Sequence, residues 1–175
     1  MLNEHTTRGL LEALSVYIQE RILSNYKDTN MEKDDIESCK FEAGRGLVFY
    51  EILSMFLEFS KLENVSVSDV GLENLDIEKD ILAPALLFAK WGKVERNAEE
   101  EKEKILVSIA KFKRGMPKEK AEDKYVKFTK LLSGILKDRG RDAKAAKLSV
   151  LGEEDDNFYA GRTLGNNEIL SIFMQ

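Results

Sequence analysis

The sequence predicts an all-α protein, a single compact bundle of about five main helices with short helical turns at its C-terminal end. Three observations carry that expectation. Apolar residues recur at three- and four-residue steps along most of the chain. Only one short stretch, Val65 to Asn74, alternates as a strand would, and Ser66, Ser68, Asp69 and Gly71 mark it as a loop with a short helical turn. The composition, 43% apolar and 34% charged, is charge-rich but foldable, and 2 prolines and 11 glycines in 175 residues are too few for a low-complexity chain.

In chain order, Leu10, Leu11, Leu14, Tyr17, Ile18 and Ile22 form one face of a first helix, with Thr6 or Thr7 as its N-cap. Ile36, Cys39, Ala43, Gly46, Tyr50, Leu53 and Leu57 give the stripe of a second. Val48, Ile52, Met55, Phe59 and Leu62 add a further stripe, leaving only a narrow polar strip at Glu51, Ser54, Glu58 and Lys61. A helix apolar on most of its circumference is surrounded by others, so this segment is expected as the central helix of a bundle or as a dimer seam, with Leu53, Phe56, Leu57 and Phe59 mostly buried. A third helix falls within Leu75 to Trp91, kinked or started at Pro84 and stopped by Gly92, with Trp91 as a core anchor.

The fourth helix is marked by its charges. Glu95, Glu99, Glu100, Glu101 and Glu103 open it, and Lys111, Lys113 and Arg114 close it ahead of Gly115 and Pro117, which complements the helix dipole. Ile105, Ile109 and Phe112 form its apolar face. The fifth starts at Pro117 or Lys118, carries Ala121, Tyr125, Phe128, Leu132 and Ile135 inward, and stops near Arg139-Gly140, with a short helix to follow over 142–148. Residues 1–150 thus read as the bundle. Residues 151–175 read as an acidic loop, Glu153 to Gly165, and an apolar tail. The tail, Ile169, Leu170, Ile172 and Phe173, docks on the bundle or on a neighbour.

The residue inventory removes several chemistries. One cysteine, Cys39, excludes an intrachain disulfide and multi-cysteine zinc modules. One histidine, His5, near the N-terminus, is poorly placed to activate it. The chain has no His-Glu-x-x-His, P-loop or EF-hand pattern, and Gly44-Arg45-Gly46 falls short of a dinucleotide fingerprint. Neither a catalytic set, a metal site nor a cofactor is expected. No apolar run reaches the ~18–20 residues of a membrane span, and Met1 to Leu11 lacks the pattern of a signal peptide. With a lone thiol, that points to a cytoplasmic protein.

Charge is unevenly distributed. Residues 111–147 hold 13 Lys and Arg against 5 Asp and Glu, while the whole chain has net charge −5. Lys120, Lys124, Lys127, Lys130, Lys137, Arg139 and Arg141 lie off the apolar stripe and form a candidate solvent-facing basic surface able to follow a phosphate backbone. The same run also serves as a solvated face balancing the acidic helices.

A second candidate is a polar pocket on the central helix at Glu42, Arg45, Tyr50 and Glu51, where Arg45 would receive an anion that Glu51 orients. Gly44 and Gly46 there equally imply close approach of another helix, with Glu42–Arg45 as an i,i+3 ion pair. The reading favoured is a non-enzymatic interaction or regulatory protein that binds a protein partner or itself through a helical surface. The alternative is a nucleic-acid-associated protein using 111–147.

Overall fold

The computed structural model describes residues 4–27, 35–115, 123–149 and 156–173. These form six α-helices, α1 (Glu4–Lys27), α2 (Ile36–Glu63), α3 (Ala83–Trp91), α4 (Ala98–Gly115), α5 (Lys124–Ser149) and α6 (Asp156–Phe173), and no strand among the described residues.

Helix α2 is the axis of the bundle. Asp35 caps it, its carboxylate accepting from the Ser38 amide at 3.0 Å and the Ser38 hydroxyl at 2.6 Å, which holds the Asp35 pKa below the usual carboxylate range. Asn64 ends it in the left-handed conformation, φ 51°, returning its amide to the Ser60 carbonyl. Between these caps every residue from Cys39 to Phe56, except Phe41 and Glu42, is buried, as a helix apolar on most faces requires. Two members of the polar strip, Glu51 and Ser54, are covered as well. Leu57, expected mostly buried, is only partly so, and Leu62, at the end of the second stripe, is exposed, while Phe59 and Ser60 between them are buried.

The closest contact is between α2 and α6, which lie side by side and point the same way. Asn157 donates to Glu37, Gly161 faces the Phe41 carbonyl and Gly165 faces Arg45. A Cβ on Gly161 would fall on the Phe41 carbonyl oxygen, and one on Gly44 would fall on the Phe158 carbonyl oxygen. The helical glycines are therefore compensated by backbone-to-backbone approach, the role anticipated for Gly44. Gly46 serves α3 in the same way, since its Cβ would lie 2.9 Å from Ala85 Cβ.

A second centre is aromatic. Phe128 of α5 stacks on Phe59 at 4.3 Å between ring centroids and takes edge contacts from Phe56 at 5.1 Å and Phe112 at 5.6 Å. Three helices, α2, α4 and α5, meet there.

The connection between α2 and α3 is held to the bundle by polar contacts. Gly71, φ 71°, closes a 3₁₀ turn over Val67–Val70, and its carbonyl accepts from Ser15 at 3.1 Å and Gln19 at 2.8 Å, both on α1. A π-helical turn, Glu78–Leu82, then leads into α3. Pro84, in the first turn of α3, has no amide to continue an α-helical ladder, and the Ala83 amide bonds back to Glu78, five residues earlier.

Three boundaries differ from the sequence expectation. Residues 156–165, expected as loop, are the first half of α6, because Gly161 and Gly165 serve as contact residues and not as turn residues. Helix α5 passes through Gly140 and absorbs the separate short helix expected at 142–148. A glycine inside a helix costs only about 1 kcal/mol, an amount that packing can offset, so Gly140 need not end it. Helix α1 begins ahead of Thr6 and Thr7, so neither is its cap, and Thr7 is buried.

Candidate functional site

Two places collect chemistry that the packing alone does not demand: a belt of charges inside the bundle and the outer face of α4.

The belt starts at Glu51, only 7% exposed. Its Oε1 accepts from Ser108 of α4 at 2.6 Å and from Arg139 of α5, and its Oε2 lies 3.7 Å from Arg162 of α6. Arg139 also donates to the Ser108 hydroxyl at 3.3 Å. Beside them Glu101, buried on α4, is 3.8 Å from Arg96 and 2.8 Å from Lys104. The Arg96 guanidinium stands over the Phe158 ring at 4.8 Å. Burial pulls the Arg162 pKa below the usual arginine value. Glu51 and Glu101 oppose that shift, while Arg139 and Arg96 reinforce it. The Glu51 carboxylate thus ties α2 to α5 and α6 through guanidinium contacts, which fix orientation because the donors form rigid forks, and to α4 through the Ser108 hydroxyl.

Removing the central carboxylate leaves Arg139 and Arg162 facing each other without their counter-charge. Glu51→Gln is expected to lower stability by about 2 kcal/mol, less than for a fully buried pair because both arginines keep partial solvent access. Urea unfolding checks this. Ser108→Ala, which removes one donor and leaves both ion pairs, should cost roughly half as much.

The pocket expected on α2 is divided between two sites. Glu42 and Arg45 do pair, at 3.5 Å, and Arg45 also reaches Glu168 of α6 at 4.0 Å. Glu168 in turn lies 3.7 Å from Arg21 of α1. Glu51 belongs to the other belt. Tyr50 is buried apart from both, its hydroxyl pKa pushed up by burial and next by Glu78. An anion held by Arg45 and oriented by Glu51 therefore has no common cavity.

The basic surface is smaller than its sequence suggested. Lys130 and Lys137 are exposed. Lys124 is partly buried, its ammonium 5.5 Å from the Tyr125 ring. Lys127, expected in solvent, is 7% exposed, since a lysine's four-carbon stem packs like an apolar chain. Arg139 turns inward to Glu51. Lys120 and the Arg141 side chain lie outside the described residues.

Helix α4 departs from a simple amphipathic arrangement at three positions. Ile105 and Phe112 point inward as expected and Ile109 is half-buried, but Glu101 is buried beside them while Leu106 and Val107 stand outside at 65% and 66% exposure. The periodicity that marked Ile105, Ile109 and Phe112 gave these two neighbours no place, and their adjacency was the available signal.

A cleft of about 1030 Å³ lies between the start of α2 and the connection from α3 to α4. Lys40, Lys93 and Arg96 line it with Glu37, Glu95 and Glu100, so its charges balance. Cys39 is buried, and burial pushes its thiol above the usual range, away from the thiolate a nucleophile needs. Among the described residues, no three of His, Cys, Asp and Glu converge as metal ligands would, and no helix is long and apolar enough to cross a membrane. Compared with protein-family profiles, curated proteins and solved structures, the chain has no match.

Proposed function

We propose that the protein is a non-enzymatic helical interaction module whose working surface is the outer face of α4. The observation that carries this is the pair Leu106 and Val107, adjacent and about two-thirds exposed on a helix whose inner side is anchored by Phe112, Glu101 and Ser108. Large apolar side chains held in water on a rigid helix favour burial against a partner, and each contributes about 1.5–3 kcal/mol when fully covered. The interior belt supports the same reading, because it fixes α4 without using the outer face. The buried free thiol of Cys39 suits a reducing, cytoplasmic setting.

The nucleic-acid alternative draws less support from the geometry, since Lys127 is buried and Arg139 is engaged by Glu51. Affinity capture with the full chain and with Leu106→Glu separates the readings. A protein retained by the parent chain and lost with the variant supports the module, while identical captured sets overturn it. Salt-sensitive RNA or DNA retention at about 50 mM salt that Lys130→Glu and Lys137→Glu abolish would favour the alternative.

A further inference from the structure

Resting on that reading of α4, we infer that the partner covering its outer face is a second copy of this chain, bound with the two α4 helices antiparallel across a two-fold axis. The inference comes from the order of residues along the face. At 100° per residue, Glu99, Glu103, Leu106, Val107, Ala110 and Arg114 fall within one arc opposite buried Ile105 and Phe112. All six are exposed. The acidic pair lies toward the helix start, the apolar residues in the middle and the arginine at the end. Arg114 Nε donates to the Ala110 carbonyl at 3.2 Å, which keeps the guanidinium over the same face.

Such a face carries its own complement. With the axis between residues 106 and 107, Leu106 of one copy meets Val107 of the other, Glu103 meets Ala110, and Glu99 meets Arg114 at both ends. The antiparallel arrangement also sets the helix dipoles against each other favourably. A parallel pair would instead place Glu99 on Glu99 and Arg114 on Arg114, so the charge order selects the direction as well as the partner. An isologous contact of this kind closes on itself and produces a dimer without further growth. A helix of 18 residues is about 27 Å long, a contact at the small end of specific interfaces, so association should depend visibly on concentration.

Sedimentation equilibrium of the full chain, from about 5 to about 500 µM, tests this through mass action. The mean mass is expected to climb from 20.0 kDa toward twice that value. Leu106→Glu and Val107→Glu should each weaken association about tenfold or more. Glu99→Arg alone and Arg114→Glu alone should each weaken it several-fold, because each change acts at two symmetry-related contacts, and the two combined should restore it. Circular dichroism melting verifies that these surface variants remain folded. Should a glutamate at 106 or 107 unfold the chain, the charge exchange decides the matter alone.

A constant monomer mass overturns the inference, as does a dimer indifferent to Leu106→Glu or a double exchange that fails to restore association. A monomer that still captures a Leu106-dependent protein refutes self-pairing and leaves the module reading intact. A Leu106-dependent dimer that captures nothing else supports self-pairing alone.

Discussion

Phe128→Ala is expected to destabilise the protein by about 3–5 kcal/mol. The ring is fully buried and takes contacts from Phe56, Phe59 and Phe112, so its loss opens a cavity bounded by α2, α4 and α5 together. No single helix can shift to fill the space without leaving another. At this chain length the change should lower the melting temperature by about 10 °C or more. Thermal unfolding checks it, and a loss below about 1 kcal/mol would mean that α5 is not seated on the aromatic cluster. Phe128→Leu, which keeps most of the volume, should recover more than half of the loss.

Gly161→Ala should cost about 3 kcal/mol or more, although alanine is the better helix former. The added methyl would clash severely with the Phe41 carbonyl, 2.7 Å from its carbon, and the obstruction is backbone, which cannot rotate away. Either α6 lifts from α2 along its length or the local helix distorts. The control is Gly134→Ala on α5, where the space around a new Cβ is open. There the same substitution should stabilise by about 0.5–1 kcal/mol through helix propensity and the unfolded-state entropy of glycine. Opposite signs for one chemical change, measured by urea unfolding, would establish the helix contact as the cause. Two changes of equal sign would refute it.

The helical class and the central position of α2 were readable because apolar spacing is a local property. Leu53, Phe56 and Phe59 are buried as their pattern requires, and Cys39 behaves as the small core residue its position suggests. What was not readable depended on meetings between distant segments. Gly161 and Gly165, four residues apart, carry the same sequence mark whether they loosen a loop or let two helices touch, and only α2 decides between those roles. Lys127 and Arg139 look solvent-facing on their own helix, and each is withdrawn from solvent by surroundings the local pattern does not contain. Glu42 and Arg45 pair as i,i+3 spacing allows, whereas Glu51 finds its cations on α5 and α6. The exposure of Leu106 and Val107 followed from the choice of inner face on α4, which Glu101 and Ser108 share with the apolar residues.

The contact between α2 and α6 also bears on how the chain reaches its native state. Glu37 and Asn157, which meet across it, are 120 residues apart. During synthesis α2 emerges early, with an apolar circumference that one of its principal partners cannot yet cover. Closing so long a loop carries an entropic cost before any contact rewards it. Until the residues that form α6 are made, the face of α2 that they cover has no partner in the first half of the chain. For that interval α2 is a sticky surface, and a translational pause ahead of residue 156 would lengthen its exposure to chaperones and to aggregation.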